Sequence, residues 1–200
     1  AMVGMGNDFG NPGEDLQKNI ALFDSSLKSL KALNISAPVN ESLVQDEQLW
    51  LPIKKQIEAK ADIAKVEKLQ QDLDALLASC HKTTGLIAQA SGAKAAEIVN
   101  ISGRQRMLSQ RMAALYMLQV WGVKDPEFKG KLNATMDEFA RAQEILLQSK
   151  LNTPEINDGL ARVKRLFKWF EMMGRSKSGR YVPAIISKSA DKMLKEMNTI

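Results

Sequence analysis

The sequence predicts an all-α protein, and three observations carry that prediction. Apolar residues recur at spacings of three and four along most of the chain, and strand-type alternation is absent. The composition favours Ala, Leu, Lys, Gln and Met, while aromatics make up only 6% of the 200 residues. Turn formers are sparse, at 12 Gly and 6 Pro, too few for a sandwich or barrel.

The elements follow in order. Asn11-Pro12-Gly13-Glu14-Asp15 reads as a helix start, with a cap residue, an early proline and acids in the first turn. Leu16, Ile20, Phe23, Leu27, Leu30 and Leu33 then form one apolar face. Ser36-Ala37-Pro38 is expected to end that helix, with Asn40 capping the next through Leu43, Val44 and Trp50 and with Pro52 kinking it. From Ala61 to Gly122 there is no proline, and helical periodicity runs from Ile63 to Leu118. That stretch predicts one long central helix, with Thr83-Thr84-Gly85 and Ser91-Gly92 as its weak points. Asp125-Pro126-Glu127, Thr153-Pro154-Glu155 and Tyr181-Val182-Pro183 start three more helices.

Sliding the second half back on the first reveals an internal repeat. Gly6, Leu16, Ile20, Phe23 and Leu30 match Gly122, Leu132, Met136, Phe139 and Leu146 in one frame. With a small drift, Val44 and Trp50 match Val163 and Trp169, and Asp74, Leu76 and Leu77 match Asp191, Met193 and Leu194. The expected architecture is two tandem four-helix-bundle-like modules, residues 1–85 and 86–200, sharing the long central helix. The counterpart of segment 100–111 would fall before residue 1. The first module is therefore expected to lack most of its first helix, cut away upstream.

Composition also excludes chemistries. One cysteine, Cys80, rules out an internal disulfide framework, and one histidine, His81, rules out a multi-histidine metal site. No apolar run is long enough to span a bilayer, and no signal peptide is visible. There is no glycine-rich phosphate loop and no Ser/His/Asp order, so no catalytic residues, no cofactor and no enzyme are expected. Pairs such as Asp72 with Asp74, or Glu171 with Asp191, have nothing to place them in a pocket. The net charge of +5 is uneven: residues 162–200 hold 10 basic and 3 acidic groups. Because these basic residues are interspersed with the aromatics Phe167, Trp169 and Phe170, expected in the core with Trp50 and Trp121, nucleic acid is not the expected partner.

The unusual stretch is Asn100-Ile101-Ser102-Gly103-Arg104-Gln105-Arg106-Met107-Leu108-Ser109-Gln110-Arg111-Met112. At about 100° per residue, Arg104 and Arg111 fall with Leu108, Leu115 and Leu118 on the main apolar face. Arg106 falls near 200° from Arg104, flanked by Val99, Gly103, Gln110, Ala113 and Met117. A helix apolar on both sides is covered on both sides, one by its own bundle and the other by a partner chain or second module. Arginine in such a place needs an oxyanion, a carboxylate or a carbonyl, and its planar fork suits flat anions. Against a symmetry mate, two Arg106 side chains would approach, and one small anion between them would relieve the repulsion. Gly103 would let the helices come close. Pairing with Asp or Glu elsewhere, or snorkelling to solvent, is the alternative from spacing alone.

Segment 103–112 resembles the signature of the PilJ-type sensor domain, the N-terminal domain of type IV pilus chemotaxis transducers. That family is similar to the periplasmic domains of nitrate- and nitrite-sensing histidine kinases. Its pattern A-G-x-x-R-M-x-S-x-R, on the first helix of a four-helix bundle, is matched by Gly103, Arg106, Met107, Ser109 and Arg111, with Ser102 replacing the alanine. The resemblance implies a periplasmic ligand-sensing module, dimeric, in which Arg106 contacts nitrate or nitrite. Gly103 and Arg111 would support it, with Arg104, Ser109 and Gln110 completing the site. A helical protein-interaction module of a signalling or pilus-related system, without a small ligand, is the second expectation. Transducers of this kind continue through a membrane helix into a signalling domain, and neither is recognised in this sequence.

Overall fold

The computed structural model describes residues 11–93, 95–123, 126–175 and 182–200. Gly6, Asp125 and Tyr181, each used in the sequence reading, lie outside them. The described chain is helical throughout: α1 (Pro12–Ala32), α2 (Ala37–Glu58), α3 (Val66–Ser91), α4 (Ala96–Val120), α5 (Glu127–Leu147), α6 (Pro154–Gly174) and α7 (Pro183–Thr199). No strand occurs among the described residues. It divides into two compact units, Met2–Ala96 and Glu97–Ile200.

Several helix starts differ from expectation. Asn11 adopts a left-handed conformation and makes no side-chain cap. Pro38 begins α2 instead of ending α1, since a first helical turn has no use for the N–H that proline lacks. Asn40 therefore sits inside α2 and does not cap it. Pro52, expected to kink the helix, lies inside α2. Thr153 behaves as predicted, its hydroxyl accepting from the Ile156 N–H at 3.3 Å.

The expected long central helix is two helices. α3 passes through Thr83-Thr84-Gly85 unbroken and stops at Gly92, whose φ of +60° is a left-handed cap closed by its N–H on the Gln89 carbonyl. A Cβ is disfavoured at that φ, so the glycine that can end the helix does so. At the front, residues Ile63–Lys65 form a single 3-10 turn capped by Asp62, not the first turn of α3.

In the Met2–Ala96 unit, α2 packs most extensively on α3. Ile20, Trp50, Ile53 and Leu76 form one apolar cluster, and Leu27, Val39 and Leu43 a second. A buried polar group ties the two helices together. The Asp46 carboxylate accepts from the Ser79 hydroxyl and from that of Thr83 at 2.6 Å, and Ser42 lies 2.7 Å from Thr83. In the Glu97–Ile200 unit, α6 packs most extensively on α7, through Leu160, Val163 and Phe170 on one side and Ile186, Ala190 and Met193 on the other, all buried.

Burial does not follow the expected repeat register throughout. Phe23 of α1 meets Trp50 of α2 with ring centroids 4.4 Å apart, and Phe139 of α5 meets Phe167 of α6 at 4.6 Å. Trp50 and Phe167 each meet a phenylalanine of the helix before their own. The expected match of Trp50, Trp169, is 58% exposed where Trp50 is 6% exposed. Val44 and Val163 fail likewise, one exposed and the other buried. Leu76 and Met193 are both buried.

Candidate functional site

The arginine-bearing segment lies wholly on α4, whose lack of proline and of interior glycine other than Gly103 keeps it continuous. Its buried side holds Gln105, Leu108, Ser109, Met112, Leu115 and Tyr116. This face is centred on Gln105 and Met112, roughly 90° round the helix from the Arg104–Arg111 line expected to be its middle. The rotation has a physical cause: two polar side chains, Gln105 and Ser109, are buried because each finds hydrogen bonds inside.

Gln105 is 0% exposed. Its amide donates to the Phe139 main-chain oxygen at 3.0 Å and to Gln143 Oε1 at 3.2 Å, and Gln143 in turn donates to the Leu160 carbonyl at 2.8 Å. The relay crosses from α4 through α5 to α6 and orients the arginine helix within its own bundle. At the other end of α4, the Tyr116 hydroxyl accepts from the Val182 N–H at 2.9 Å, fixing the entry to α7. Sequence reasoning missed Gln105, and its only signal was a place between two arginines on a helix that needs a buried side.

The six predicted site residues separate into two groups. Arg104 is half-buried and forms an ion pair with Glu138 of α5. Ser109 is buried and donates back to the Arg106 carbonyl at 2.7 Å. Arg111 is half-buried and engaged by a neighbour. Arg104 and Ser109 thus serve the interior of the unit. Arg106 and Gly103 are exposed, and a Cβ built on Gly103 would meet nothing within 4 Å. Gln110, one turn beyond Arg106, hides its Nε2 from water without a hydrogen-bond acceptor among the described residues.

The stripe expected to be covered along its length therefore changes character. Ala113 and Met117, at its far end, are buried, while Val99 is 66% exposed. What remains open of this stripe is a short face of Val99, Gly103 and Arg106, bordered by an orphaned amide. A guanidinium and a primary amide both donate and neither accepts at nitrogen, so this face is built for an oxygen-rich partner.

Other candidates resolve differently. Cys80 packs against the Ile20–Trp50 cluster, and burial together with the nearby Asp46 carboxylate pushes its thiol up to about 12. His81 faces solvent, so the two do not converge. Asp72 is held below the usual carboxylate range by the Lys68 ammonium and, more weakly, by Gln56. Asp74 accepts from Gln70 and Glu171 from Arg175, so neither suggested carboxylate pair forms a site. Among the described residues no group of three or more His, Cys, Asp or Glu could hold a metal, and no helix is long and apolar enough to cross a membrane.

The helical unit with its arginine motif is of the signalling sensor and transducer-related type. The family model of PilJ, described as the type IV pili methyl-accepting chemotaxis transducer N-terminal segment, matches residues 87–171 of the chain. The match runs from the last turns of α3 through nearly all of α6, and so takes in the whole arginine helix. It is not a catalytic family. No curated protein and no solved structure matches the chain.

Proposed function

We propose that the chain is a periplasmic sensing module that holds a small flat oxyanion, such as nitrate or nitrite, where α4 meets α4 of a second copy. Arg106 is the main contact, Gly103 permits the approach, and Gln110 supplies a further donor. Arg104 holds the helix in its bundle through Glu138. The observation that carries this reading is the pairing of an exposed Arg106 with the orphaned Gln110 Nε2 one turn away. A buried donor without an acceptor is costly, and an oxyanion beside Arg106 would satisfy it. We further read the two units as tandem versions of one helical module, supported by the Phe23–Trp50 and Phe139–Phe167 pairs.

The test is thermal unfolding with nitrate, nitrite and chloride, alongside sedimentation to give the oligomeric state. Nitrate or nitrite should raise the melting temperature and favour a dimer, and Arg106→Ala should lose both effects. A parent protein that stays monomeric and shows no anion-specific shift overturns the proposal.

A second reading is favoured by one observation, the 66% exposure of Val99 beside Gly103. An apolar side chain there suits docking on a helix of a signalling partner without any small ligand. Under that reading Val99→Asp abolishes association while nitrate has no effect.

A further inference from the structure

A different surface of the Glu97–Ile200 unit carries an inference independent of α4. Along α6, Arg162, Arg165, Trp169 and Met172 follow one another at spacings of three and four, and all four are exposed. Along α7, Lys188, Lys192 and Lys195 do the same. Each set therefore lies on one side of its helix. The two stripes form a single surface, because a shallow depression of about 450 Å³ is lined jointly by Arg162, Arg165, Trp169, Lys192 and Lys195. The one carboxylate lining it, Glu196, is taken by Arg162 at 2.8 Å. Arg165, Lys188, Lys192 and Lys195 have no ion pair among the described residues.

Amid this positive field, Trp169 and Met172 are 58% and 55% exposed. An indole and a thioether standing in water beside unpaired cations are poorly explained by solubility alone. The combination matches the boundary region of an anionic bilayer. Phosphate groups face the ammonium and guanidinium ions, the indole sits at headgroup depth, and the lysine stems lie along apolar matter. A depression this shallow offers no walls to enclose a peptide, whereas a helix pair laid flat can meet a planar surface along its length. We propose that the α6–α7 face docks on an anionic lipid surface.

The experiment is co-sedimentation of the full chain with vesicles of phosphatidylglycerol and phosphatidylethanolamine, compared with pure phosphatidylcholine, at low and physiological salt. Binding should require phosphatidylglycerol and weaken with salt. The triple change Arg165→Gln, Lys192→Gln, Lys195→Gln should weaken it by about fivefold per cation, so about a hundredfold in total. Trp169→Ser should weaken binding as well. All four positions are exposed, and unchanged helical circular dichroism checks that the variants fold. Lack of binding to anionic vesicles overturns the proposal. So does binding that the triple change or Trp169→Ser leaves intact, and so does a chain that binds duplex DNA but not vesicles.

Discussion

The side-chain amide of Gln105 and the main-chain oxygen of Phe139 lie 3.0 Å apart in a place closed to water, since neither residue has any exposed surface. The contact sets the rotation of the arginine helix, because turning α4 would pull a buried amide off its acceptors. Gln105→Ala should destabilise the Glu97–Ile200 unit by about 2–3 kcal/mol, the sum of a lost buried hydrogen bond and a small cavity. Gln105→Glu should cost more, because it sets a carboxylate against a carbonyl oxygen. Urea denaturation measures both, and a Gln105→Glu protein as stable as the parent at neutral pH contradicts the account.

Asp46 should show the same logic in the other unit. It is 2% exposed and gathers the hydroxyls of Ser79 and Thr83. Asp46→Ala strands both donors and should cost about 3 kcal/mol, while Asp46→Asn keeps one acceptor oxygen and should cost less. Equal losses for the two variants would mean that packing, not hydrogen bonding, governs the site.

Much of this was legible beforehand, and the exceptions share a cause. Helices α1, α5, α6 and α7 start near where Pro12, Pro126, Pro154 and Pro183 place them, because a cap or an early proline acts locally. The choice between Gly85 and Gly92 was not local. Thr83 bonds to Asp46, and Leu86 and Ile87 pack on the Leu27 cluster, so tertiary contacts hold the helix through Gly85. Gly92 instead adopts a φ of +60° and closes the helix with its N–H on the Gln89 carbonyl. Gln105 and Trp169 misled for opposite reasons. A glutamine is buried when carbonyls await it, and a tryptophan is exposed when Phe167, two residues earlier, already fills the core.

Gly92 itself supplies a prediction. At its φ of +60°, Gly92→Ala should destabilise the chain by about 1 kcal/mol, and Gly92→Asn by less. Gly85→Ala, within a helix, should be neutral or stabilising. Thermal unfolding of the three variants decides the point.

Asp24 predicts a pH dependence. Hydrogen bonds from the Lys54 ammonium and the Trp50 indole N–H hold its carboxyl below its ordinary value of 3.8. A carboxyl depressed by folding contributes stability that is complete above the unfolded value and is lost as pH falls through the folded one. Stability should therefore drop in the acid range below about pH 4, and Asp24→Asn should remove part of that drop. The pair is partly exposed, so solvent screening keeps its share at neutral pH small. Denaturation midpoints from pH 2 to 7 for the two proteins supply the check.

Cys80, with its thiol pushed up to about 12, should resist thiol reagents at pH 8. Labelling of the folded protein should be about a hundredfold slower than of the urea-unfolded chain, because the thiolate is the reactive form. Rapid labelling without unfolding would place the thiol in solvent.

The unequal surroundings of the tryptophans give the molecule a built-in optical gauge. Trp50 is enclosed against Phe23 and bonded to Asp24, whereas Trp169 stands open to solvent in the other unit. Emission from Trp50 should lie towards the blue and escape iodide, while Trp169 glows redder and is quenched. In a Trp121→Phe background, loss of the blue emission therefore follows the melting of the Met2–Ala96 unit, while the already exposed Trp169 stays nearly constant as an internal reference, with no added dye.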